Sequence, residues 1–293
     1  MGRAYPEVRV IKANPTMEGV AYMVPDIVYS EQGGEPIKLQ LLCPWPGFTK
    51  ETENKKHPLI VFIQGSAFRF PDAYRKIPQL SYFARAGYVV ASVTHRSSLD
   101  GNPFPTYLKD VKTAVRFLRA HADEYQIDTD RVAAWGSSSG GNTALLLGMT
   151  GDDDRYKTEE YGEYSDAVKA VVDCFGSVDT SATREAVISG KEFEYSDSFK
   201  CLLGEPTEEN LKQIQEMDPV NHLEEGKIYP PTFILHGDQD PTVPYEPSEE
   251  FFRKLIDLGA EASMVRVEGA PHERSFWSQE VLDAIKDFLD THV

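Results

Sequence analysis

Between Pro6 and Cys43 apolar and polar positions alternate around Pro and Gly breaks, as at Val8 and Val10, Val20 and Tyr22, and Ile37, Leu39 and Leu41. A period of two predicts short strands joined by turns, so residues 1–57 read as an N-terminal β-meander. The pattern then changes. Leu59-Ile60-Val61-Phe62-Ile63 is an unbroken apolar run, the mark of a strand buried on both faces, and Val89 to Val93 is the next. From about Pro105 the apolar residues Leu108, Val111, Val115, Leu118, Ala122 and Tyr125 recur at helical spacing. Further strands are predicted at Arg131–Gly136, Val168–Cys174, Thr232–His236 and Ala262–Glu268. Helical stretches near Thr143–Met149, Ser248–Leu258 and Trp277–His292 separate them. Strand and helix in alternation imply an α/β fold, a mostly parallel sheet with helices on both faces. Only Gly176 to Tyr229 departs from the rhythm, with two short helical patterns, Asp197–Leu203 and Glu208–Glu216, and no strand. This stretch is expected to be a small cap-like insertion over the C-terminal edge of the sheet, where open α/β folds form their ligand crevices. Asp179, Glu185, Lys191, Glu192, Glu194 and Asp197 should make its surface polar.

No repeat or low-complexity linker divides the 293 residues, and a single domain, 1–293, is expected. Thirty Lys and Arg against 47 Asp and Glu leave a formal charge of −17, a field that repels a nucleic-acid backbone. Cys43, Cys174 and Cys201 are odd in number and far apart, which suggests neither a disulfide framework nor a zinc site. No segment approaches the roughly 18 unbroken apolar residues of a membrane span. The expectation is a soluble, cytoplasmic protein that binds neither nucleic acid nor membrane and uses no cofactor or metal. The acidic run from Asp152 to Glu163 lacks the spacing of a calcium loop and reads as a solvated segment at the opposite edge of the sheet.

The candidate chemistry begins at Gly136-Ser137-Ser138-Ser139-Gly140, which joins a predicted strand to an Ala- and Leu-rich helix. A G-x-S-x-G in that context is a nucleophile elbow: a sharp turn presents the central serine, Ser138, above a helix N-terminus. A serine hydroxyl needs a base, and the base needs a group to orient it. His236-Gly237-Asp238-Gln239-Asp240 ends one downstream strand, and Asp240 is favoured as the acid because Asp238 follows the strand closely enough to be a turn residue bonding its own backbone. His272, in Gly269-Ala270-Pro271-His272 after the last strand, is the base candidate. His57, His121 and His292 read as surface groups. His95 precedes the serine and so falls outside the chain order Ser, Asp, His, and His236 reads as a packed, hydrogen-bonded residue. A developing oxyanion needs ready N–H donors, one from Ser139 and others from the loop Gln64-Gly65-Ser66-Ala67-Phe68. Phe68, Tyr107 and Trp277 fall on or near the loops at this edge and are candidate substrate contacts.

Taken together these motifs resemble the α/β-hydrolase superfamily, and within it the BD-FAE-like carboxylesterases that include feruloyl and acetyl-xylan esterases. The likeness covers Pro58 to Leu289. It rests on Pro105 to Ala122, on Trp135 to Gly141, on His236 to Pro244 and on Glu268 to His272. It implies the α/β-hydrolase fold, Ser138 as nucleophile, Asp240 as acid, His272 as base, and backbone donors near Ser66, Ala67 and Ser139. Two positions depart from the pattern. Gln64-Gly65-Ser66-Ala67 stands where many relatives have His-Gly-Gly-Gly, and Ser139 stands where Ala is common. The activity implied is hydrolysis of short-chain or aromatic acyl esters, with a small-molecule or oligosaccharide ester as partner. The alternatives are an amidase or peptidase of the arylformamidase or prolyl-oligopeptidase type, and a binding module that has lost catalysis.

Overall fold

A strand of continuous apolar residues has no face to give to solvent, and the sheet is built around strands of that kind. The computed structural model describes residues 8–32, 34–52, 55–192 and 195–293. Residues 1–7 of the N-terminal segment and Glu194 of the insertion lie outside the described residues.

Eight strands form one sheet in the order β1-β2-β4-β3-β5-β6-β7-β8. β1 (Ala21–Ser30) and β2 (Ile37–Pro44) pair antiparallel, and β2 is antiparallel to β4 (Val89–Val93). β3 (His57–Ile63), β4, β5 (Ile127–Ser137), β6 (Ala170–Cys174), β7 (Thr232–Gly237) and β8 (Ala262–Val267) are all parallel. Every loop singled out for chemistry therefore leaves the sheet at one edge. The meander is shorter than its alternation predicts. Val8 and Val10 are exposed and belong to no strand, because no neighbouring strand is there to bury their apolar side chains.

Alternate residues of the central strands feed two cores. Leu59, Val61 and Ile63 face α2 (Thr106–Ala120), α3 (Ser139–Met149) and α7 (Tyr245–Asp257). Ile60 and Phe62 face α1 (Ile77–Arg85) and α8 (Gln279–His292). α2 ends at Ala120, so Ala122 and Tyr125 lie in the turn beyond it rather than on the predicted helix. The 176–229 stretch holds α4 (Ser181–Ile188), α5 (Ser196–Leu203) and α6 (Glu208–Gln215), the first of these missed by periodicity because it buries no residue. Leu202, Leu203, Ile214 and Met217 pack with Phe104, Tyr107 and Leu146, which seats the insertion on α2 and α3.

α2 also buries charge. Lys112 Nζ and Arg116 Nη1 reach the two carboxylate oxygens of Asp166 at 2.6 and 2.7 Å, and all three side chains are at most 2% exposed. Removing one member of such a cluster strands the others in a medium that solvates charge poorly. Asp166→Ala is expected to cost about 3–5 kcal/mol of stability. Guanidinium unfolding of the two proteins measures it, and a loss below about 1 kcal/mol, the worth of an exposed pair, would remove this cluster from the account of stability.

Candidate active site

Ser138 caps the N-terminus of α3 with φ 56° and ψ −126°, a conformation that L-residues avoid. Two close approaches make it possible. A Cβ on Gly136 would lie 1.9 Å from the carbonyl oxygen of Gly140, and one on Gly140 would lie 2.0 Å from that of Ile63. The G-x-S-x-G spacing is therefore a packing requirement of the turn, and the turn lifts the Ser138 side chain clear of the sheet.

His272 Nε2 lies 2.9 Å from Ser138 Oγ, and its Nδ1 lies 2.6 Å from Asp240 Oδ2. The loops after β5, β7 and β8 thus bring three sequence-distant residues into one hydrogen-bonded series. The edge of the Phe175 ring packs against the His272 imidazole, with centroids 4.8 Å apart. Asp240 Oδ1 accepts the N–H groups of Thr242 and Val243 at 2.8 and 2.9 Å. Burial by itself pushes the Asp240 carboxyl up, but hydrogen bonds from His236 and His272 and from the Val243 N–H overcome this and hold it far below the ordinary carboxylate range. Asp240 remains an anion through neutral pH. Asp238 does other work: its Oδ1 accepts the N–H of Gly269 at 2.7 Å. It ties the β7 loop to the loop carrying His272 instead of bonding its own backbone, a partner 31 residues away that a local reading misses.

His236 is packed and hydrogen-bonded as expected, with Nδ1 2.8 Å from Ser248 Oγ. Its other nitrogen stands 3.4 Å from Asp240 Oδ2, so the carboxylate sits between two imidazoles. The position of His236 four residues before Asp240 is the signal that its supporting role could have been read from. His57 corrects the reading as a surface group. It is buried at the start of β3 with Nδ1 2.8 Å from the Gly87 carbonyl, because β3 is central and its first residue is already under cover. His95 is buried against Tyr107 and does not reach the cavity.

A cavity of about 760 Å³ opens over Ser138 and His272, within the size range of small-ligand sites. Ser66, Ala67, Phe68 and Ser139 line it, and the insertion contributes Ser177, Ser181, Tyr195 and Phe199. Tyr107 and Trp277 do not line it. Tyr107 lies behind Phe68 with its hydroxyl 3.2 Å from Asn142 Oδ1, and Trp277 donates its indole N–H to Glu273 Oε2 at 2.6 Å. Both are aromatic residues near the right loops whose polar ends have found partners in the protein. The oxyanion loop needs a correction as well. The Ser66 N–H is given to Ser139 Oγ at 2.9 Å, and the Gly65 N–H to Ser137 Oγ at 3.2 Å. The hydroxyl that replaces the commoner alanine after Ser138 has taken one of the three predicted donors. Ser139, the first residue of α3, has no acceptor for its N–H within the helix, and Ala67 lines the cavity beside it with φ 52°.

In sequence and fold the chain is similar to esterases. The BD-FAE family model matches residues 48–255. The esterase LipC of Mycobacterium tuberculosis is 26% identical over 236 residues, 80% of this chain and 56% of its own length. The chain spans about half the length of the curated relatives it matches. Among solved structures, a truncated carbohydrate esterase from gut microbiota is 26% identical with a TM-score of 0.76, over 95% of this chain and 99% of that one. Esterase 2 of Thermogutta terrifontis, phosphoramylated by tabun, is 25% identical with a TM-score of 0.71, over 96% and 97% of the two chains. No helix among the described residues is long and apolar enough to cross a membrane.

One buried acid near the elbow has an incomplete set of partners. Asp173 ends within β6, fully buried; its Oδ1 accepts the Gly176 N–H at 2.9 Å, and its Oδ2 has no hydrogen-bond partner among the described residues. Burial pushes its carboxyl up to about 7, against the pull of His236. An unfolded aspartate titrates at about 3.9, so between these values the folded chain holds a proton that the unfolded chain has lost. Stability from this group is thus lost as pH rises through that window. Asp173→Asn, which is never charged, should match the parent near pH 4 and exceed it at pH 8. Thermal midpoints measured from pH 4.5 to 8.5 test this, and a gap that fails to widen with pH would mean that Asp173 is ionised throughout.

Proposed function

The chain belongs to the BD-FAE family, and from that premise we propose that it is a serine carboxylesterase, a single catalytic domain that cleaves short-chain or aromatic acyl esters of carbohydrate through an acyl-enzyme. The observation that carries the reading is the hydrogen-bonded series Ser138, His272, Asp240 opening on one cavity at the N-terminus of α3. Asp240 keeps a proton on His272 Nδ1 and leaves Nε2 bare. Nε2 takes the Ser138 proton as Oγ attacks the ester carbonyl. The oxygen that becomes negative settles against the N–H groups of Ser139 and Ala67, at the positive end of the helix. Collapse expels the alcohol with the proton from His272, and water repeats the sequence on the acyl-enzyme. The similar gut carbohydrate esterase supports sugar as the alcohol side. Phe68 and Phe199, packed edge to face in the cavity wall, offer an aromatic surface to a cinnamoyl ring or a sugar face.

Ser138→Ala should abolish turnover, and a serine-reactive phosphonate should add at Ser138; an adduct on Ser137 or Ser139 would move the nucleophile. Asp240→Asn should lower kcat by about 10⁴, by analogy with other triads whose acid is made an amide. Asp238→Asn keeps its acceptor for the Gly269 N–H and should cost far less. The reverse ranking in steady-state kinetics would make Asp238 the acid.

Acyl length gives an independent test. Beside Val178, Ala182, Tyr195 and Phe199 the insertion presents Ser177, Asp179, Ser181 and Thr183 to the cavity, a mixed lining rather than a long apolar cover. A long chain would then forgo the ~0.8 kcal/mol per methylene that burial yields. On p-nitrophenyl esters from C2 to C16, kcat/KM should peak at acetyl to butyryl and fall beyond about C6, with acyl-anilides slower than the matching esters. A maximum at C10 or above would replace the short-chain reading with a lipase.

A further inference from the structure

In a chain of formal charge −17, the cavity over Ser138 is lined by two arginines, Arg75 and Arg274, that are exposed and make no ion pair or side-chain hydrogen bond to any described residue. Other arginines of the chain find carboxylates, as Arg96 does with Asp110 at 2.6 Å and Arg116 with Asp166 at 2.7 Å, or give their guanidinium to hydroxyl or carbonyl oxygens, as Arg69 does with Ser198, Arg85 with Gly19 and Arg119 with Ala167. Two that do neither, both lining the cavity, call for a reason.

Their neighbours in sequence supply the construction. Lys76 Nζ bonds Glu273 Oε2 at 2.8 Å, an ion pair whose side chains are only 10% and 15% exposed. Trp277 donates to the same carboxylate oxygen, and Lys76 Nζ stands 4.4 Å from the centre of its ring. This knot ties the segment before α1 to the loop after His272. Because Arg75 precedes Lys76 and Arg274 follows Glu273, it also brings two guanidinium-bearing residues to the same side of the cavity. The backbone is bent to achieve this: Glu273 has φ 61° and Arg274 φ 54°, two consecutive non-glycine residues in the left-handed region, directly after the candidate base. Strain of that kind persists where surrounding structure holds it, and it clusters at ligand sites.

The carboxylates of the lining neutralise the pair only in part. Glu273 is bonded to Lys76 and also feels the charge of Arg75, and Asp179 Oδ1 accepts the Ser181 N–H at 2.8 Å. Outside the Lys76–Glu273 pair, the lining carries Arg75 and Arg274 against Asp179 alone, a surplus of one positive charge. That surplus suits a monoanion. A guanidinium fork matches the planar carboxylate with two parallel hydrogen bonds, and the bulk negative field would otherwise repel such a substrate.

We propose that Arg75 and Arg274 form a carboxylate-binding subsite in the cavity wall, so that the preferred ester carries a free carboxylate remote from the scissile bond. This rests on the esterase reading and narrows it. The carboxylate has two possible sources. It belongs to the acyl part, as in a dicarboxylic hemiester, or to the alcohol part, as in an acetylated sugar bearing a uronate.

The test compares kcat/KM for p-nitrophenyl acetate with p-nitrophenyl hemiglutarate, and for an acetylated neutral xylo-oligosaccharide with its uronate-substituted counterpart. These pairs are run on the native chain and on Arg75→Gln, Arg274→Gln and the double variant. In at least one pair the native protein should favour the anionic member. Each single substitution should lower the anionic-to-neutral ratio about tenfold, mainly through KM, and 0.5 M NaCl should compress the native ratio toward that of the double variant. The pair in which this occurs assigns the source. Ratios that none of the substitutions moves, in both pairs, would overturn the subsite. A separate arm needs no turnover: calorimetric binding of the same anionic esters to Ser138→Ala, with and without Arg274→Gln. A loss of affinity on adding Arg274→Gln supports the subsite even if no ester is hydrolysed, in which case only the esterase reading fails. Equal affinities for both proteins would overturn the subsite.

Discussion

At the end of β5 two stretches of backbone meet with no space for a side chain between them. Gly136 lies against the Gly140 carbonyl, and Gly140 against the Ile63 carbonyl. The central sheet, the start of α3 and the position of Ser138 all depend on that contact, because it lets the chain turn from strand to helix within three residues. The turn leaves Ser138 at a positive φ, a cost carried by the packing around it: β5 is paired on both sides, by β3 and β6, and α3 is buried along nearly its whole length. A side chain at either glycine would push α3 off the sheet and lower the serine toward the core. The same contact leaves the N–H of Ser139 at the start of α3 without an acceptor in the helix, so the exposed serine and one candidate donor are products of one turn.

Charge is managed differently at the two edges of the sheet. At the N-terminal edge, Lys112 and Arg116 close around Asp166 with hardly any access to water. At the C-terminal edge, Asp240 is equally withdrawn from solvent, yet its partners are two imidazoles and two backbone N–H groups rather than a permanent cation. Hydrogen bonds from these donors are enough to hold the carboxylate ionised against its burial.

Much of this was legible in the sequence because it is local. The unbroken apolar run of β3, the glycines flanking Ser138, and the positions of Asp240 and His272 just after strands follow from short patterns with one physical explanation each. The failures are of another kind. Val8 and Val10 alternate like a strand but have no partner strand. Tyr107 and Trp277 lie near the cavity in sequence, but Asn142 and Glu273 capture their polar ends. The bond from Asp238 reaches Gly269, and the burial of His57 depends on which strands flank β3. Each needs knowledge of which distant segment comes alongside, and periodicity does not carry that.

The oxyanion loop shows how one hydroxyl redistributes a task. An alanine after the nucleophile leaves the N–H of the facing loop residue to the substrate, whereas Ser139 accepts the Ser66 N–H through Oγ while keeping its own N–H at the start of α3. Ser137 does the same for Gly65 on the other side of the turn. The loop that lacks the polyglycine run of many relatives is thereby pinned by two side-chain acceptors from the elbow itself. The Ser66 hydroxyl closes it further on the Arg69 carbonyl at 2.6 Å. The exchange costs one candidate donor and fixes the geometry of the next, because Ala67 follows Ser66 directly and inherits its position. In the esterase reading, stabilisation of the oxyanion then falls on Ala67 and Ser139, the residue after the bonded Ser66 and the residue whose hydroxyl bonds it. Donors held in place before the reaction need no reorganisation as the charge develops.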